Sequence, residues 1–225
     1  MKKNIPHIIT LTSLSIGFLS IIESCNLNFI TASYLMIICL ILDSIDGTVA
    51  RYLNTSSKFG KELDSLSDMI AFGIAPGILI YHFITVEFSD QSLAYLALLI
   101  PICSSLRLAN YNTYTEIHNT FSGLTTPVAA LCFLSIPLIN EYENNERIIH
   151  LLIHPVSISL LTIIVSILLI APVKTFGLRL NTLRRDKKKL VFIFISISIF
   201  YIFSFTGLLM IILTYIILSV FKIIN

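Results

Sequence analysis

Charged residues are scarce in this sequence. Asp, Glu, Lys and Arg make up 12% of the 225 residues, and hydrophobic residues make up 56%, whereas a soluble domain contains about 25% charged residues. This balance excludes a soluble globular protein and predicts a chain embedded in lipid. One crossing of the hydrocarbon core takes about 20 apolar residues, so the chain accommodates about eight helical spans and leaves no room for a soluble domain.

Cysteine spacing and net charge exclude two further classes. The four cysteines, Cys25, Cys39, Cys103 and Cys132, are far apart and form neither a CxxC pair nor a set with zinc-ligand spacing. The formal net charge of +2 is too small to indicate a nucleic-acid partner. The sequence therefore predicts neither a zinc site nor nucleic-acid binding.

Eight apolar runs predict an all-α fold, a polytopic bundle of about eight transmembrane helices. They cover residues 8–24, 29–50, 66–84, 91–108, 124–140, 151–172, 189–204 and 207–223. We expect the first run to be a retained span, because no small-residue cleavage site follows it. The first six runs form one predicted membrane domain, residues 1–180. Residues 181–225 form a predicted two-helix hairpin whose role stays open.

Lys and Arg are distributed unevenly among the segments between the runs. Fourteen of the fifteen fall on one side of the predicted membrane, and only Arg147 falls on the other. Positively charged segments stay cytoplasmic during insertion, so we expect both termini and the basic loop 174–189 in the cytoplasm. We interpret this loop as a topology anchor attracted to anionic lipid headgroups. The chain is thus predicted to be a multi-pass protein of the cell membrane.

Four acidic residues lie at the cytoplasmic ends of the second and third runs. Asp43 and Asp46 share one helical face, and Asp64 and Asp68 share another. Ionisable groups at membrane depth usually face a bundle interior, and four like charges repel unless cations neutralise them. Oxygen ligands favour hard ions. The sequence therefore predicts Mg²⁺ or Mn²⁺, as a pair of ions that can hold a pyrophosphate for phosphoryl transfer.

Small residues and an arginine stand between the two acidic pairs. Gly47 and Ala50 follow the first pair, Arg51 comes next, and Gly60 precedes the second pair. The small residues leave space either for a nucleotide or for close helix packing. The pattern Asp-x2-Asp-Gly-x2-Ala-Arg-x8-Gly-x3-Asp-x3-Asp over residues 43–68 resembles the complete signature of the CDP-alcohol phosphotransferase family.

This resemblance implies a chemistry and a role for each matching residue. In this family a CDP-linked donor binds with its pyrophosphate against two metal ions, and an acceptor hydroxyl attacks phosphorus with release of CMP. The implied metal ligands are Asp43, Asp46, Asp64 and Asp68, and Asp68 is also the implied general base. The implied donor contacts are Thr10, Gly47, Ala50, Arg51, Ser57 and Gly60. Family members also suggest a homodimer.

Two positions near the chain start belong to the same resemblance. Residues 5–10 are similar to the family's Pro-Asn-x-x-Thr segment, which includes Thr10, but His7 replaces the usual Asn.

Three further segments resemble the phosphatidylserine synthases of this family. They are residues 64–77 with Asp-Ser-Leu-Ser-Asp and Phe-Gly-Ile-Ala-Pro, residues 106–112 with Arg-Leu-Ala, and residues 121–129 with Phe-Ser-Gly-Leu-Thr-Thr-Pro. Asn110 and Thr125 depart from that pattern, which commonly has Arg or Lys and Pro there. The resemblance implies CDP-diacylglycerol and L-serine as substrates, with the active site facing the cytoplasm.

The acceptor pocket follows from the charges of serine. Its carboxylate requires a cation, and Arg107 offers a fork of donors at the end of the fourth run, with Asn112 placed to assist. The alternative is that Arg107 only anchors topology. A phosphatidylglycerophosphate synthase would need more cations for its acceptor, and the fourth and fifth runs offer no second one. A cation transporter is disfavoured, because the acids gather at one rim beside Arg51.

Overall fold

The part of the chain that the structure describes is almost entirely helical. This computed structural model describes residues 4–53, 55, 57–117, 123–172 and 187–220. The helices are α1 (Ile5–Cys25), α2 (Phe29–Tyr52), α3 (Lys58–Asp68), α4 (Ala75–Phe88), α5 (Gln91–Ala94), α6 (Leu99–Ile117), α7 (Thr126–Tyr142), α8 (Glu146–Leu152), α9 (Pro155–Ile170) and α10 (Lys187–Val220). Met69–Ile74 is a π-helical turn between α3 and α4, and Tyr95–Leu98 is a 3₁₀ turn between α5 and α6. No strand occurs in these ranges, which confirms the predicted all-helical class. Residues 174–186, which are most of the basic loop 174–189, lie outside the described residues.

The described helices support fewer membrane spans than the eight predicted. Five stretches are long and apolar enough to cross a bilayer: Ile5–Cys25, Phe29–Tyr52, Lys58–Phe88, Gln91–Thr113 and Phe194–Ser219. A sixth results if α8 and α9, which meet at a bend of 54°, form one broken span. The difference has two causes. The last two predicted runs fall within one assigned helix, and α7 has 17 residues, fewer than the roughly 20 of a full crossing.

The last helix, α10, reverses its direction at Ser204. This residue has φ 50° and ψ −127°, which are not helical values. The rings of Phe192 and Tyr215 lie 6.3 Å apart, whereas a straight helix would separate these residues by roughly 34 Å. The two halves of α10 therefore pack against each other. Thr206 donates a 2.6 Å hydrogen bond from its hydroxyl to Glu143 at the end of α7, and this bond lowers the pKa of Glu143.

Small and polar residues hold α1 close to its neighbours. A Cβ added to Gly17 would lie 3.0 Å from both Cα and Cβ of Ala71, so the helix axis of α1 passes close to the π-helical turn. The Ser20 hydroxyl donates to the Ala32 carbonyl of α2 at 2.9 Å. In lipid, close approach and interhelical hydrogen bonds hold helices together, because burial of apolar surface contributes little there. This packing brings the start of α1 to the acidic ends of α2 and α3.

The π-helical turn Met69–Ile74 begins directly after Asp68. The Ala75 N–H bonds to the Ile70 carbonyl, five residues earlier. Pro76, the next residue, has no N–H and makes no bond to a carbonyl of the preceding turn. Such wide turns are frequent at functional sites. The turn sets the rotation of α3 relative to α4, and therefore the direction in which α3 presents its acids.

Candidate active site

Three of the four predicted acids meet in one cluster. Asp43 from α2 and Asp64 and Asp68 from α3 each place a carboxylate oxygen within 4.8 Å of the other two, and all three side chains are partly buried. The Ser57 hydroxyl starts α3 by accepting the Gly60 N–H at 3.0 Å, as an N-cap does. Three converging carboxylates repel one another unless a cation lies between them. Their oxygen ligands and spacing fit a hard divalent ion.

Asp46 lies beside this cluster and has a separate partner. Its side chain is buried and accepts a 2.6 Å hydrogen bond from the Thr10 hydroxyl. The Thr10 carbonyl in turn accepts a 3.2 Å hydrogen bond from the Ser67 hydroxyl of α3. Thr10, which the family resemblance assigns to the donor, therefore also ties α1 to both acid-bearing helices.

A cavity of about 240 Å³ opens next to the acids. Its lining consists of Pro6, His7, Thr10, Asp46, Gly47, Ala50, Arg51, Thr55, Ser57, Gly60, Lys61 and Asp64. All six residues that the resemblance assigns to the donor are among them. Asp64 lies in both the cavity wall and the acid cluster, so it joins the two parts of the site.

The two glycines of the cavity have different surroundings. A Cβ added to Gly47 would meet no atom within 4 Å, so no packing contact in the described structure requires glycine there. A Cβ added to Gly60 would lie 2.9 Å from Cε1 of His7. The His7 ring also packs edge-on against Phe59, with 5.4 Å between the ring centroids. Gly47 therefore clears space in the cavity itself, whereas Gly60 makes room for His7.

Arg107 reaches the acid cluster through a threonine that the sequence analysis missed. Arg107 is only 7% exposed, which is unlike a solvated topology anchor. Its Nη1 donates a 3.1 Å hydrogen bond to the Thr126 hydroxyl. That hydroxyl donates to Oδ2 of Asp68 at 3.4 Å. The sequence did contain a signal for Thr126: it is a polar residue directly before Pro127, at the start of a helix that begins on the same side of the membrane as the acids.

Asn112, the other residue expected at the acceptor, contacts α3. Its amide nitrogen donates to Oε2 of Glu62 and to the Ser65 hydroxyl, both at 3.0 Å. Lys61 also approaches this region, since its Nζ lies 3.5 Å from the Asn112 carbonyl oxygen and 5.1 Å from the centre of the Tyr111 ring. A second cation therefore lies beside α6, just past the end of the fourth predicted run. The sequence argument counted only cations of the fourth and fifth runs and so overlooked Lys61, which precedes Asp64 by three residues on α3.

Several relatives of known activity are similar to this chain. It is 39% identical over 150 residues to the CDP-diacylglycerol–serine O-phosphatidyltransferase of Helicobacter pylori, an alignment that covers 64% of this chain and 63% of that protein. It is 38% identical over 141 residues to the archaetidylserine synthase of Methanothermobacter thermautotrophicus, covering 62% of this chain and 60% of that protein. It is 35% identical over 132 residues to the CDP-diacylglycerol–serine O-phosphatidyltransferase of Bacillus subtilis, an alignment that covers 58% of this chain and 73% of that protein. The chain thus spans less than two thirds of the length of the first two relatives.

A broader match covers most of the chain and includes the whole acidic cluster. Residues 3–163 match the CDP-alcohol phosphatidyltransferase family. This range contains the cavity and the carboxylates and also Arg107 and Thr126, and it ends within α9. On this match the chain belongs to the CDP-alcohol phosphatidyltransferase family.

Proposed function

We propose that this protein is a membrane-embedded phosphatidylserine synthase. It transfers the phosphatidyl group of CDP-diacylglycerol to the hydroxyl of L-serine and releases CMP. The observation that carries the proposal is the position of the cluster Asp43, Asp64 and Asp68 between the cavity and the buried Arg107. The names of the similar proteins from Helicobacter pylori and Bacillus subtilis support serine as the acceptor.

The cavity is the proposed site of the CDP part of the donor. Gly47 and Ala50 leave the surface of α2 open to the nucleotide, and a flat ring can approach a backbone closely where no side chain intervenes. Arg51 and Ser57 lie in the same wall and supply a cation and a hydroxyl for the phosphates. Because Asp64 belongs to the cavity and to the cluster, a pyrophosphate in the cavity reaches the acids.

The far side of the cluster is the proposed site of serine. Arg107 supplies the cation for the serine carboxylate. Asp68 accepts the proton of the serine hydroxyl as the new oxygen–phosphorus bond forms. The oxygen–phosphorus bond to CMP breaks in the same transfer, and CMP leaves with the electron pair of that bond. Asn112 stays a proposed serine contact, although it would have to reach serine from its position against Glu62.

The proposed ligands of Mg²⁺ or Mn²⁺ are Asp43, Asp64 and Asp68. The family resemblance implies a second ion, and Asp46 is the proposed fourth carboxylate for that pair of ions. A bound divalent ion stabilises negative charge that develops on the phosphate and the leaving CMP. The chain's own contribution is to hold these carboxylates together in partly buried surroundings, where Thr10 fixes the orientation of Asp46.

One observation favours a second candidate acceptor. Lys61 and Arg107 both lie near the Tyr111 ring, at 5.1 Å and 6.0 Å from its centre. Two cations suit the doubly charged phosphate of glycerol 3-phosphate better than they suit serine. Phosphatidylglycerophosphate synthase is therefore the alternative that the first experiment has to distinguish.

We propose an arrangement in the membrane that goes with this activity. Counting α7, the bent pair α8 and α9, and both halves of α10, the chain crosses the cell membrane eight times with both termini in the cytoplasm. The positive charge on the segments next to the acids supports this orientation, which places the active site on the cytoplasmic face. Residues 1–180 form the catalytic domain and 181–225 an appended hairpin. By family resemblance, we also propose a homodimer.

The experiment that tests the function offers two acceptors in parallel. The detergent-purified protein receives CDP-diacylglycerol and Mn²⁺ with radiolabelled L-serine or glycerol 3-phosphate, and both lipid labelling and CMP release are measured. We expect serine to enter lipid with one CMP released for each serine. Labelling from glycerol 3-phosphate instead would assign the sister activity, and no CMP with either acceptor would refute the proposal.

A matched pair of variants tests the role of Asp68 in the same assay. Asp68→Asn removes the base, and we expect the rate of transfer to fall about 10²- to 10⁴-fold while CDP-diacylglycerol still binds. Asp90→Asn is the control, because Asp90 caps α5 by accepting the Leu93 N–H at 3.1 Å and Asn caps a helix equally well. Normal turnover by Asp68→Asn would exclude the role as base.

A further inference from the structure

Thr126 stands between the two residues proposed to act on serine. It is fully buried at the first position of α7. Its hydroxyl oxygen is 3.1 Å from Nη1 of Arg107 and 3.4 Å from Oδ2 of Asp68. The second contact is long for a hydrogen bond between oxygens, but it joins a fully buried hydroxyl to a partly buried carboxylate. The described structure therefore contains a continuous path from Arg107 through Thr126 to Asp68.

The chemistry of the three groups gives this path a direction. A guanidinium only donates hydrogen bonds, an ionised carboxylate only accepts them, and a hydroxyl has one donor and two acceptor positions. Thr126 can accept from Arg107 and donate to Asp68 at the same time, whereas Val, which has the same shape, can do neither. Ser keeps the hydroxyl and loses only a methyl group. The position therefore requires a hydroxyl if the contact is functional.

We propose that Thr126 is a positioning residue that orients Asp68 and Arg107 for the acceptor. This inference rests on the proposed function, in which Asp68 takes the proton of serine and Arg107 binds its carboxylate. Thr126 does not line the donor cavity, so its loss acts on the acceptor. It also holds one of the three clustered carboxylates, so its loss acts on metal binding.

The test compares three variants of the full chain in detergent. Thr126→Val removes the hydroxyl, Thr126→Ser restores it, and Thr125→Val makes the same change at a neighbouring residue that makes no side-chain cap. The measurements are kcat and KM for serine, KM for CDP-diacylglycerol, and binding of Mn²⁺ followed by electron paramagnetic resonance without substrate. Groups that orient a metal ligand typically contribute 10- to 100-fold to metal affinity or activity.

We expect Thr126→Val to lower kcat/KM for serine at least tenfold and to weaken Mn²⁺ binding about tenfold. At saturating Mn²⁺ we expect KM for CDP-diacylglycerol to stay within about twofold, and we expect Thr126→Ser to recover most of both losses. Equal behaviour of Thr126→Val and Thr125→Val, or equal impairment of Thr126→Ser and Thr126→Val, would overturn the proposal.

The Mn²⁺ measurement separates this inference from the proposed function. If the wild-type protein transfers to another alcohol, the serine assignment fails, and the same variants are measured with that alcohol. If the wild-type protein transfers to no alcohol, the proposed function fails, and the role of Thr126 is then tested by Mn²⁺ binding alone. Weaker binding in Thr126→Val with recovery in Thr126→Ser supports the orienting role, and unchanged binding overturns it.

Discussion

At the scale of single residues, Gly47 and Gly17 show how differently two helical glycines can be constrained. Nothing lies within 4 Å of a Cβ built on Gly47, whereas a Cβ built on Gly17 lies 3.0 Å from backbone and side chain of Ala71. The first glycine faces the cavity and the second faces protein. The same change to alanine should therefore affect binding at one position and stability at the other.

Gly47→Ala should weaken donor binding without loss of stability. The new methyl group occupies space that we propose for the nucleotide, and we expect KM for CDP-diacylglycerol to rise at least fivefold, on the order of the 1–3 kcal/mol typical of overfilled sites. Alanine also favours a helix by about 0.5–1 kcal/mol over glycine, so the melting temperature should not fall. The measurements are donor titrations and thermal unfolding in detergent.

Ile45→Ala is the control for this variant, because Ile45 is exposed on another face of the same helix. Its KM for the donor should match that of the wild type. If Gly47→Ala also binds the donor normally, the nucleotide does not lie against this part of α2.

The pairing of the acids could be predicted from the sequence because short-range helical spacing places them, whereas the donor residues were predicted only through the family resemblance. Asp43 and Asp46 share a face of α2 by position alone, and Asp64 and Asp68 do the same on α3. Thr126 and Lys61 could not be found in that way. Their contacts depend on how α7 and α6 pack against α3, and no spacing along one helix encodes that packing.

At the scale of helices, the contact of α1 with the π-helical turn places the start of α1 at the site. Gly17→Ala pushes a methyl group against Ala71, where one of the nearest atoms is backbone and cannot rotate away. Overpacking of this kind typically lowers the free energy of unfolding by about 1–3 kcal/mol. This loss is larger than the gain from the helix preference of alanine, which is about 0.5–1 kcal/mol. We expect a lower melting temperature, measured by circular dichroism in detergent.

Gly47→Ala serves as the matched comparison, since it makes the same chemical change in a neighbouring helix. A melting temperature for Gly17→Ala equal to or above that of Gly47→Ala would mean that α1 and Ala71 are not closely packed. The comparison needs no assumption about the reaction that the protein catalyses.

Apolar runs predicted the existence of helices well but predicted their boundaries less well. The third run, residues 66–84, begins too late, because the polar face of Lys58–Asp68 hides the first turns of a stretch that continues to Phe88. The last two runs meet at Ser204, whose backbone breaks the helix although its side chain is an ordinary polar one. Hydrophobicity reports burial in lipid, but it does not report backbone geometry.

At the scale of the whole molecule, a native cysteine offers a test of orientation. Cys25 is exposed, whereas Cys39, Cys103 and Cys132 are buried. Cys25 ends α1 at the opposite end from Thr10, so it lies on the face away from the acids. With the active site in the cytoplasm, a membrane-impermeant maleimide should label Cys25 in intact cells. Labelling is measured by mass shift of the purified protein.

The reciprocal variant is Tyr52→Cys in a Cys25→Ser background. Tyr52 ends α2 on the side of the acids and is 85% exposed. We expect this cysteine to react only after the cells are permeabilised. The opposite pattern, with Tyr52→Cys labelled from outside and Cys25 protected, would place the active site on the outer face.

The π-helical turn Met69–Ile74 constrains how this protein can change in length. Such a turn holds one residue more than the α-helical turn it replaces. Deleting one residue from the regular α-helical turns of α4 would rotate α3 by about 100° relative to the rest of α4 and carry Asp64 and Asp68 away from Asp43. Deleting one residue within the π-helical turn would instead convert it to an α-helical turn and leave the direction of α3 nearly unchanged. An evolving lineage can therefore lose a residue inside this turn and keep the carboxylate cluster, but it cannot lose one from the regular turns that follow without dismantling the cluster.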